Sequence, residues 1–103
     1  MNDVAISVLA DPASALTFDV VVRDASGESR HKVTIGAGDA ARWASLGAEP
    51  ARCVDAAMRF LLDREPKESI LGAFDISVIR RYFPDFDDAF PRYLAHPGEG
   101  RSA

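Results

Sequence analysis

Phe18-Asp19-Val20-Val21-Val22-Arg23, then Asp24-Ala25-Ser26-Gly27-Glu28, then Arg30-His31-Lys32-Val33-Thr34-Ile35 is the stretch that decides the architecture. Consecutive strand side chains point to opposite faces, so Phe18, Val20 and Val22 share one face of the first run. Thr17, Asp19, Val21 and Arg23 take the other. In the second run His31, Val33 and Ile35 lie together, opposite Arg30, Lys32 and Thr34. Gly27 is free to adopt positive φ between them, and two β-rich runs across a short glycine turn predict a hairpin. Upstream, Val4-Ala5-Ile6-Ser7-Val8-Leu9 alternates weakly before Asp11-Pro12 and supplies a third strand. A lone hairpin is marginal in water, so helices are expected to cover one face.

Downstream the period changes to that of short helices. Asp39 is expected to cap a helix over 39–46, with Trp43 as its anchor, Ala40 and Leu46 beside it and Gly47 closing it. Pro50 suits the first turn of the longest helix, 50–64. Its apolar stripe of Val54, Ala57, Met58, Leu61 and Leu62 is widened by Cys53 and Phe60, which calls for contacts on more than one side. Arg52, Asp55, Arg59 and Asp63 alternate in sign on the polar side, at spacings that permit ion pairs. Pro66 breaks this helix. Further turns are expected over 66–71, 75–83 (capped by Asp75) and 85–90, with Pro91 and Pro97 opposing a long terminal helix.

The expected fold is α+β: a three-stranded antiparallel sheet (residues 4–35) packed against four or five short helices, strands preceding helices. One compact domain over 1–94 and a loose tail over 95–103 complete the plan. The chain's 103 residues bury one core, not two.

Charge and composition narrow the function classes. Sixteen acids against twelve Lys and Arg give −4, and no third of the chain is a basic arm, so nucleic acid is an unfavoured partner. No apolar run reaches the ~18–20 residues of a membrane helix. Met1-Asn2-Asp3 lacks the positive start of a secretion signal, and the lone Cys53 suits a reducing compartment, so a cytoplasmic protein is expected.

No catalytic, cofactor or metal site is expected. His31 and His96 have no neighbouring Cys or His at metal-site spacing, and Gly36-Ala37-Gly38 lacks the residues of a phosphate loop. Asp85, Asp87 and Asp88, with Asp75 upstream, are the conspicuous carboxylates; acids near helix starts are accounted for by the free amides there. Cys53 reads as a packed thiol. Arg80 and Arg81 point about 100° apart on a helix and complement its C-terminal end. Two short helices around Gly72-Ala73-Phe74 have the plan of a helix-turn-helix, but Ile76-Ser77-Val78-Ile79 is too apolar to read a groove.

Phe60-Leu61-Leu62-Asp63-Arg64-Glu65-Pro66-Lys67-Glu68-Ser69-Ile70-Leu71, followed by Phe74-Asp75-Ile76-Ser77-Val78-Ile79 and Tyr82-Phe83-Pro84, resembles a signature of small uncharacterised bacterial proteins. The resemblance implies a compact unit and carries no activity or site. With many large apolar groups and no coherent reaction centre, the expected function is protein–protein interaction or an accessory role, with self-association through the broad arc of 50–64. The alternatives are a small enzyme with its site at an interface and a nucleic-acid accessory protein.

Overall fold

The computed structural model describes residues 4–95. The hairpin is present. Strand β2 (Ser14–Asp24) pairs antiparallel with β3 (Gly27–Thr34), Val20 facing His31 and Phe18 facing Val33. Gly27 turns the chain at φ 131°. Strand β1 (Ala5–Asp11) pairs antiparallel with β2, Val8 facing Val20. The alternation is obeyed: Phe18, Val20, Val22, His31, Val33 and Ile35 are buried under the helices, while Asp19, Arg23, Arg30 and Lys32 face outward.

The three-stranded antiparallel sheet is nevertheless a correction. A fourth strand, β4 (Ala73–Asp75), pairs parallel with β3, making a four-stranded mixed sheet in the order β1-β2-β3-β4. It packs against four helices: α1 (Ala37–Ala44), α2 (Pro50–Leu62), α3 (Ser77–Tyr82) and α4 (Phe86–Ala95). Strands therefore do not all precede helices, because β4 follows α1 and α2. Three residues are too few to display a period, and a parallel neighbour reached by a long crossover leaves no hairpin signal. Gly72-Ala73-Phe74 is consequently not the turn of a helix-turn-helix, and the expected helix over 66–71 is a single 3-10 turn, Lys67–Ser69.

Helix α1 starts at Ala37, with Gly36 preceding it and no side-chain cap; Asp39 lies inside the first turn and bonds elsewhere. Trp43 is buried as expected, its ring 4.5 Å from that of Phe90, whereas Leu46 is exposed. Gly47 closes the turn at φ 84°, its amide bonding the Ala44 carbonyl. Ile76 already has helical dihedrals, so Asp75 occupies the cap position of α3 and its carboxylate accepts the Ser77 amide at 2.9 Å.

Helix α4 runs through Pro91 to Ala95, beyond the expected stop at 90. The proline removes one helical bond, but Phe86, Ala89, Phe90 and Leu94 are buried against the rest of the core, and that packing outweighs the local loss. This helix also answers the broad arc of α2. Cys53, Val54, Ala57, Met58, Phe60 and Leu61 are buried between the sheet on one side and α4 on the other. The arc of residues 50–64 is largely covered within one chain, so its breadth does not by itself call for a second copy. Only Ala95 of the expected tail is described; it ends α4, and 96–103 lie outside the described residues.

Candidate contact groove beside β4

The carboxylates singled out in the sequence are not gathered. Asp85 accepts Arg64 at 2.8 Å, while Asp87 accepts Arg80 at 2.8 Å and Asp75 caps α3. Asp88 is exposed. Arg80 is half-buried and clamped, donating to Asp39 at 2.8 and 2.9 Å as well as to Asp87. These carboxylates hold its guanidinium charged, Asp39 most strongly. Arg42 also reaches Asp39 at 2.9 Å. The two arginines thus play different parts: Arg80 ties α1 to α3 and α4, and Arg81 is exposed. The pairing of Asp39 with Arg42 is an i,i+3 pair that spacing could have found, whereas its pairing with Arg80 had no local signal because Arg80 is distant in sequence.

Cys53 is buried, and burial pushes its thiol up to about 11, so it is protonated and inert at neutral pH. Among the described residues no group of three or more His, Cys, Asp or Glu side chains is placed to hold a metal ion. His96 lies outside them.

Two features place the segment after α2. Lys67 is 3% exposed, and its ammonium donates to Asp24 at 2.9 Å, to Ser26 at 2.6 Å and to Glu68 at 2.6 Å. His31 is buried in β3. Its Nδ1 donates to the Leu71 carbonyl at 2.7 Å, and Nε2 shares a hydrogen bond with the Ser29 hydroxyl, also at 2.7 Å. Residues 67–71 are therefore fastened at both ends to the β2–β3 hairpin.

The ammonium of Lys67, followed by the Ser26 hydroxyl and amide, holds the Asp24 carboxyl down from an ordinary 3.8 to about 2. A depressed folded-state value contributes stability above 3.8 that is lost as pH falls through about 2. Asp24→Asn should accordingly flatten that acid-side loss. Urea unfolding at a series of pH values checks it, and identical pH slopes in the two proteins would refute the contribution.

The fastened segment forms one wall of an apolar groove with a cavity of about 210 Å³. Leu61 from the end of α2, Ile70, Phe74 of β4, and Val78 and Ile79 of α3 line it. Leu71 and Tyr82 line the groove at 50% and 68% exposure, two of the few large apolar side chains left in solvent. Glu65 and Ser69 supply its polar margin. A broader hollow of about 450 Å³ lies on the outer sheet face near Leu9, Val21 and Lys32. The Lys32 ammonium there is already paired with Asp19 at 2.9 Å and Asp11 at 3.1 Å, so that hollow presents no free charge from Lys32.

Sequence reasoning missed the groove. Its walls come from one continuous stretch, residues 61–83, but they face each other only once β4 has docked on β3.

Comparison with protein-family models, curated proteins and solved structures finds no match to this chain. The geometry of the groove therefore carries the functional argument alone. No helix among the described residues is long and apolar enough to cross a membrane.

Proposed function

We propose that this chain is a protein-interaction module that takes an extended apolar segment of another polypeptide into the groove beside β4. The observation that carries the reading is an apolar groove bordered by Phe74 of the edge strand β4, with Leu71 and Tyr82 exposed beside it. Large apolar side chains gathered at a concave site mark contact surfaces more often than isolated ones do. An edge strand beside such a groove suits an added strand, since backbone bonds supply affinity and alternate side chains fill the groove. The single buried thiol is in keeping with a cytoplasmic setting for this role.

The test is a panel of fluorescent nonapeptides with apolar residues at alternate positions. At least one should bind saturably, with Kd below about 100 μM. Tyr82→Glu should weaken it at least ~10-fold while leaving the melting curve unchanged, because Tyr82 is exposed. Absence of binding across the panel, or equal affinity for the variant, would overturn the proposal.

A further inference from the structure

We infer that the segment entering the groove is β4 of a second copy, paired antiparallel with β4 about a two-fold axis at Phe74. The inference rests on the groove reading above and names its occupant. Its starting point is the direction of the backbone groups in β4. The Lys32 amide bonds the Gly72 carbonyl at 2.8 Å, and the Ile76 amide bonds the Thr34 carbonyl at 2.9 Å. With the parallel register of Val33 on Phe74, these bonds turn both backbone groups of Phe74 toward β3. Ala73 and Asp75 then point both of theirs away from the sheet. Among the described residues those two amides and two carbonyls have no backbone partner.

Symmetry selects the register. With the axis on Phe74, Ala73 of each chain lies opposite Asp75 of the other, and the two pairs exchange four backbone bonds. Moving the axis to Asp75 would set like charges face to face, which is unfavourable. The Asp75 carboxylate is already turned to the Ser77 amide and leaves the edge clear. Phe74 then occupies the close, non-hydrogen-bonded position beside its symmetry mate, where aromatic cross-strand pairs stabilise a sheet. An isologous interface also requires one patch to hold both projection and recess. This patch has Leu71 and Tyr82 as projections and the 210 Å³ cavity as recess.

Three paired residues cover only about 10 Å of edge. A stable dimer buries about 800 Å² per partner, so most of the area must come from Leu71, Val78 and Tyr82 and their surroundings. So short an edge predicts an association no tighter than micromolar. With −4 on each copy, raising salt should leave it unchanged or strengthen it.

Sedimentation equilibrium is the direct measurement. The expected mass rises from 11.1 kDa toward twice that value over about 10–500 μM protein. Ala73→Pro removes an outward amide that has no partner within the chain, and Tyr82→Glu charges the rim; each should return the mass to 11.1 kDa with the melting curve intact. Hydrogen exchange on the unaltered chain should show protection of the Ala73 and Asp75 amides that grows with concentration. A constant 11.1 kDa throughout, a dimer indifferent to both variants, or protection gained only along β1 would each overturn the inference. A constant mass together with peptide binding would leave the proposed function standing. Loss of both would remove the groove reading itself.

Discussion

Trp43→Ala is expected to cost about 3–5 kcal/mol of folding stability, as for other fully buried aromatic side chains. The indole is 4% exposed, lies 4.5 Å from the Phe90 ring, and has the Arg42 and Arg80 guanidinium carbons 5.6 and 6.0 Å from its centroid. Removing it empties the place where α1 meets α4 and withdraws an aromatic surface from two cations. Equilibrium urea unfolding measures the loss. The same residue reports on itself, since native emission should be blue-shifted and move red on unfolding. A water-like native emission with a loss below ~1 kcal/mol would take Trp43 out of the core.

Phe60→Ala is the second large effect, again about 3–5 kcal/mol, with a fall in melting temperature of at least about 12 °C. Phe60 is fully buried at the centre of an aromatic group. Its ring stands edge-on to Phe86 at 5.0 Å, Tyr93 at 5.7 Å and Phe83 at 5.8 Å. The Arg64 guanidinium lies 3.7 Å from its centroid, and Arg64 in turn holds Asp85. These contacts join α2 to α4 and to the end of α3, so the alanine leaves a cavity that no single neighbour can fill. Phe60→Leu keeps most of the volume and should cost less than about 1.5 kcal/mol. Equal losses for leucine and alanine in calorimetric melts would show that aromatic packing is not what Phe60 contributes.

Both effects concern residues whose burial was legible beforehand, and the reason is period. Phe18, Val20 and Val22 recur every second residue, and Val54, Met58 and Leu61 recur at helical spacing. Those repeats are local properties of the chain, and the structure buries every one of these side chains. Gly27 and Gly47 were legible for a related reason, because both stand where the chain turns and both take positive φ. Helix α4 marks where local reading stops: Pro91 argued for a break, but burial of Phe90 and Leu94 against the core outweighed one absent backbone bond.

The candidate groove lies wholly beyond that point. Nothing in Ala73-Phe74-Asp75 distinguishes a strand from a turn until β3 offers a free edge for Phe74 to join. Leu71 looked like one more apolar residue of a short helical turn; its exposure follows from His31 holding its carbonyl and Lys67 fastening the preceding turn. Asp39 and Arg80 likewise meet only because α1 and α3 are brought together. The sequence by itself determined the hairpin, the buried faces and the turn glycines, since each depends on residues within a few positions of one another. The fourth strand, the Asp39–Arg80 ion pair and the groove were decided only by the tertiary structure: the first two join residues about forty positions apart, and the groove's walls face each other only after β4 has docked on β3, which no local pattern encodes.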